Sequence, residues 1–166
     1  MKSTTEKIVI SAMFASLVCV ATMVVKIPSP LNGYINLGDA FVLLAGWCIS
    51  PVYGFLAAGI GSALADLFSG YASYALPTFI IKGIMALIAF YGFKLIGSKA
   101  HKIIARITSA VAAEIVMVLG YYLFEGFLYG FIPSLVNILP NAVQGLAGIV
   151  AGCLLIGIFN KHKILK

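Results

Sequence analysis

Thr78 and Lys82 stand four residues apart, and Asn137, Asn141 and Gln144 fall at i, i+4 and i+7, so each set shares one face of an apolar helical run. A hydroxyl, an ammonium and three amides suit the hydrogen-bonding edges of a small heterocycle, although three amides on one face can also satisfy one another. Glu114, Met117, Tyr121 and Glu125 recur at helical spacing and place one polar stripe on an otherwise apolar helix, which should turn inward. Glu114 is the deepest carboxylate, a deep anchor or a network partner. Tyr71, Tyr74 and Tyr121 are candidate ring-stacking walls. Asp66 and Lys82 lie at similar depth near the outer ends of their helices, and an ion pair between them is the economical expectation, because a buried charge needs a partner. Ligand contact and pairing weigh equally for Lys82, since one ammonium can do both.

Ionisable groups among apolar neighbours matter only if the chain sits in hydrocarbon, and its composition says so. The 166 residues are 62% hydrophobic and 10% charged, with a mean hydropathy of +1.10. No ordinary soluble domain is this apolar. The apolar runs are long and do not alternate with period two, which predicts helices and excludes a barrel. Six spans fit in one transmembrane domain covering residues 1–166: about 8–26, 35–49, 52–69, 77–96, 103–124 and 137–159. The second is short for a full crossing. The first is preceded by Lys2 and Lys7 like a secretory signal, but it is span length and KIPSPLNGY is no cleavage site, so it is kept as a helix. With both termini cytoplasmic, nine of the eleven basic residues fall on that side, which satisfies the positive-inside rule. The net charge of +6 is therefore a topology signal rather than a nucleic-acid footprint.

The three outer connections in this arrangement carry Tyr34, Tyr71, Tyr74, Phe127, Tyr129 and Phe131. An aromatic belt accounts for them, and so does the wall of an outward-facing site. The loop from Ile27 to Ile35, shaped by Pro28, Pro30 and Gly33, reads as a lid. Asn36 as N-cap, with Asp39 near the positive end of the second helix, gives both a structural role behind that lid. In the first helix, SAMFAS puts Ser11 with Ala15, and Ala12 with Ser16, at i and i+4, a flat stripe for close helix packing or for a partner. Cys19, Cys48 and Cys153 are isolated, and His101 and His162 lie in basic segments. Phosphate-binding loops, HExxH and GxSxG are absent, so no metal, cofactor or catalytic machinery is expected.

GYINLGDAFVLLAGW, GIGSALADLFSGYASYALPTFIIKGIMALIA, AEIVMVLGYYLFEGFLYG and PNAVQGLAGIV, taken in order, resemble the substrate-binding S component of energy-coupling factor (ECF) vitamin transporters. They are most similar to the group that takes hydroxymethylpyrimidine and pyridoxine. The resemblance implies an all-α six-helix bundle in the bacterial cell membrane, with an outer substrate site under the loop between the first two helices. It also implies import powered by a transmembrane T component and two ATPases on other chains, with no enzyme activity here. The family docks its T component through an Ala-x-x-x-Ala stripe on the first helix, which points to Ser11, Ala12, Ala15 and Ser16. On this basis Tyr71, Tyr74, Thr78, Lys82, Glu114, Tyr121, Asn141 and Gln144 are the expected ligand contacts, with Asn36, Asp39 and Asp66 holding the pocket. A stand-alone transporter that relays protons through Asp66, Lys82 and Glu114 is the alternative from another class, and a scaffold without ligand is a third.

Overall fold

Ser3 and Glu6 start the bundle. The Ser3 hydroxyl accepts the Glu6 amide at 3.1 Å and the Glu6 carboxylate accepts the Ser3 amide at 2.9 Å, a capping box that satisfies two orphan donors reciprocally. Helix α1 therefore spans Thr4–Val24, beginning four residues before the apolar run that marks it in the sequence. In this computed structural model, residues 3–31, 33–97 and 101–161 are described. Asn32 of the lid and the basic residues Lys2, Lys99, Lys163 and Lys166 lie outside them.

A two-residue antiparallel hairpin follows, β1 (Ile27–Pro28) against β2 (Tyr34–Ile35), with Ile27 opposite Ile35. Then come α2 (Gly38–Cys48), α3 (Pro51–Phe68), α4 (Ala72–Gly97) and α5 (Lys102–Tyr129). The one-turn α6 (Phe131–Ser134) and a 3₁₀ turn (Leu135–Asn137) lead into α7 (Ile138–Lys161). Among the described residues five helical segments are long and apolar enough to cross a membrane, and α2 is a shorter apolar helix. The protein is a helical membrane bundle.

Two boundaries differ from the sequence reading for a reason visible in the turns. Gly70 and Gly130 hold φ at 84° and 91°, the left-handed region that glycine enters without steric cost. The chain reverses at Gly70, so α4 starts at Ala72 and Pro77 lies inside it rather than opening it. Gly130 ends α5 five residues beyond Phe124.

Helix α2 is central. Val42, Leu43, Leu44 and Ala45 are fully buried, and α2 packs on α1, α3, α4 and α7. Bare backbone allows close approach elsewhere: a Cβ on Gly59 of α3 would lie 2.7 Å from the Phe79 carbonyl oxygen of α4. Trp47 donates to the Ser109 hydroxyl at 3.1 Å, which ties the end of α2 to the start of α5. Gly152 of α7 stands beside the same Trp47 ring, and Lys7 of α1 lies beside Cys48, Ile49 and Ser50. The start of α1 and the far half of α7 therefore share one end of the bundle with the α2–α3 connection. The hairpin covers the other end. Ile8, Met13, Val20, Leu146, Val150 and Leu154 face outward, each more than half exposed, as lipid-facing residues of spanning helices do.

Candidate functional site

Beneath the hairpin lies a small cavity of about 40 Å³. Ser29, Gly33, Tyr34 and Asn36 from the lid and its foot line it, with Asp66 at the end of α3. Helix α4 and the turn before it add Tyr71, Tyr74 and Thr78; α5 adds Tyr121 and Glu125; α7 adds Asn141 and Gln144. Tyr34 and Tyr71 tilt together with ring centroids 4.9 Å apart, and Tyr71 meets Tyr74 edge-on at 6.3 Å. The wall is therefore aromatic and continuous from the lid onto α4.

The polar groups of this wall are held by one another. Tyr34 donates to Asp66 Oδ1 at 2.7 Å, which latches the lid to α3. Burial, and then the neighbouring Asp66 carboxylate, push the Tyr34 phenol upward, so it remains a donor beyond the ordinary phenol range. Thr78 and Tyr121 share a hydroxyl contact at 3.0 Å. Glu125 Oε1 accepts from Asn137 Nδ2 at 2.9 Å and from Tyr74 Oη at 3.4 Å. Asn137 Oδ1 receives the lid amide of Leu31 at 3.4 Å. At the rim, Lys26 donates to Ser69 at 2.5 Å and lies over the Tyr34 ring at 5.6 Å.

Under the cavity is an ionic floor. Lys82 on α4 pairs with Asp39 on α2, and their side chains are 4% and 0% exposed. Asp39 Oδ2 also accepts Gln144 Nε2 at 2.6 Å. Gln144 Oε1 in turn accepts the Asn36 backbone amide at 2.9 Å and its side chain at 3.2 Å. The pairing expected of Lys82 with Asp66 is thus corrected. Asp39, in the first turn of α2, reaches Lys82 across the α2–α4 contact, and Asp66 is engaged by the lid. Capping is corrected in part: Leu37 is the N-cap, while Asn36 Oδ1 accepts the Gly38 amide at 2.9 Å, and Asp39 spends its carboxylate on the ion pair.

Of the sequence candidates, Tyr71, Tyr74, Thr78, Tyr121, Asn141 and Gln144 meet at the cavity wall, and Asp66 and Asn36 join them. Lys82 and Glu114 do not line it. Lys82 stands in the floor, its ammonium 5.5 Å from the Tyr121 ring centre. The Glu114 carboxylate lies deeper: a Cβ at Gly148 would meet Asp39 Cβ at 2.8 Å and Glu114 Oε1 at 3.1 Å, so the two acids flank bare α7 backbone. Asp66, Lys82 and Glu114 form no hydrogen-bonded chain among the described residues; Asn137 in the 3₁₀ turn bonds to α5 and the lid, and Gln144 on α7 to the lid foot and α2. Ser29, Gly33 and Glu125 are lining residues that the ligand-contact reading passed over. Glu125 was legible as the next step of the Tyr121 stripe, whereas Ser29 and Gly33 carry no local signal. On α1, Ser11 is buried and a Cβ on Gly61 would run into the Ala15 carbonyl, so Ser11 and Ala15 face α3. Ala12 and Ser16 are exposed.

The family model for the ECF-type riboflavin transporter S component matches residues 2–161. The chain belongs to that family. It is a transporter S component and not an enzyme. A protein of Pyrococcus woesei, described as an uncharacterized protein in gap 3'region, is 39% identical to this S component over 137 residues, 81% of this chain and 88% of that one. Among solved structures, the S component of a bacterial ECF transporter superposes with a TM-score of 0.78 at 24% identity, covering 96% of this chain and 98% of that one. The fold of the S component described here is therefore that of a solved one, and the lidded cavity sits within it.

Proposed function

We propose that this S component captures an aromatic nitrogen heterocycle bearing hydroxyl or amino groups from outside the cell membrane and delivers it through a T component and two ATPases. The observation that carries this is the cavity wall, four tyrosines interleaved with amides and hydroxyls under a latched lid. Riboflavin, named in the family description, is the first ligand to try; hydroxymethylpyrimidine and pyridoxine, to which the sequence motifs point, follow. Tyr71, Tyr74 and Tyr121 are assigned to ring contact, and Thr78, Asn141 and Gln144 to polar contact. Lys82, Asp39 and Glu114 serve as the floor. Ala12 and Ser16, the outward pair of the α1 stripe, are assigned to the T component, because small exposed residues permit close helix approach.

Mass spectrometry of small molecules that copurify with the detergent-solubilised chain, followed by titration calorimetry, tests the assignment. Asn141→Ala and Tyr71→Ala should each weaken binding by about tenfold or more. Wild-type affinity in both variants sinks the site. Ala12→Leu should leave ligand binding intact while reducing copurification with the T component and ATPases.

A further inference from the structure

Two carboxyl groups face the cavity half-satisfied. Asp66 Oδ1 holds the Tyr34 hydroxyl and Glu125 Oε1 holds Asn137 and Tyr74, yet among the described residues Asp66 Oδ2 and Glu125 Oε2 are buried with no hydrogen-bond partner within range, the neighbouring Thr78 hydroxyl of Asp66 being shared with Tyr121. The two residues are only 6% and 2% exposed. An acceptor buried this deeply without a donor is costly, and an unpaired carboxylate more so. Among the described residues no basic side chain lines the cavity to compensate: Lys82 is committed to Asp39, and Lys26 to Ser69 at the rim. Asp66 is on α3 and Glu125 on α5, and both of those helices pack on α4.

Resting on the binding-subunit reading above, we infer that Asp66 and Glu125 are paired acceptors for hydrogen-bond donors of the ligand. The ligand class is then an uncharged or cationic ring compound presenting N–H or O–H groups to both acids, and phosphorylated or carboxylated forms of the same ring are rejected. Donors on the ligand supply what the two free oxygens lack. An anionic group there would face two acids of like charge without a counterion, and such juxtaposition opposes binding strongly.

The test is calorimetry on the purified full chain with matched probes: riboflavin and riboflavin 5′-phosphate, pyridoxine and pyridoxine 5′-phosphate, and 4-amino-5-hydroxymethyl-2-methylpyrimidine and its phosphate. The uncharged member of whichever pair binds should be tighter by about 100-fold or more. Asp66→Asn and Glu125→Gln, which keep one acceptor but present an amide N–H to the ligand donor, should each weaken that probe by about 10- to 100-fold. A phosphate ester binding within about threefold of its parent overturns the inference and leaves the binding-subunit reading standing. So does wild-type affinity in both variants. If neither variant folds, the wild-type probe comparison alone decides. Failure of every probe to bind the wild-type chain overturns the binding-subunit reading and this inference together.

Discussion

Lys82 and Asp39 show how one residue's choice of partner decides the floor of a cavity. A lysine and an aspartate removed from water each carry a desolvation cost of several kcal/mol, and their attraction offsets it only while both are present. Replacing one partner leaves the other charge stranded. Lys82→Met is therefore expected to destabilise the protein by about 3–5 kcal/mol. The double variant Lys82→Met with Asp39→Asn, which removes the stranded charge but keeps an acceptor for Gln144, should recover most of that. Unfolding in mixed micelles measures both, and a double variant as unstable as the single one would show that lost packing, not charge, is responsible. The sequence made Lys82 legible as a buried cation in need of a carboxylate. It did not show which carboxylate. Asp39, Asp66 and Glu114 all lie on apolar helices, and only the packing of α2 against α4 brings Asp39 within reach while the lid takes Asp66.

At the level of the elements, α3 and α4 approach closely because glycine leaves room. A Cβ at Gly59 would sit 2.7 Å from a carbonyl oxygen of α4 and 2.8 Å from the Phe79 ring, and a backbone oxygen cannot swing aside. Gly59→Ala should cost about 1–3 kcal/mol through overpacking. Gly157→Ala, on α7 with nothing within 4 Å, should instead stabilise by about 0.5–1 kcal/mol, the usual gain of alanine over glycine inside a helix. Thermal unfolding of the two variants in one detergent checks the opposite signs; equal effects would mean that the α3–α4 contact is not close-packed. Helix ends were hard to read in the sequence. The start of α4 is set by the turn at Gly70, and a proline that ordinarily opens a helix drew attention to Pro77 instead. The hairpin strands are two residues each, too short to show any periodicity.

Across the whole molecule, the apolar runs carried the class and the all-helical membrane bundle. They carried less of the site, because its residues come from the lid and four helices and meet only when the bundle closes. One route through that bundle runs from the lid foot at Asn36 to Gln144 on α7, then to Asp39 on α2 and Lys82 on α4. Gln144 has a single orientation here, its oxygen toward the lid and its nitrogen toward the acid. The lid thus runs on two clocks. Its tip can fray on its own: the Gly33 amide is bonded only to Leu31 within the loop. Its foot can let go of Gln144 only when the interior of the bundle also opens. Amide hydrogen exchange should therefore find Gly33 fast and Asn36 as slow as the buried amides of α2, because exchange reports the smallest opening that frees each group. Equal rates at the two positions would show that the lid lifts as one piece. Slow exchange at Asn36 means that ligand entry loosens the tip while the foot keeps time with the core.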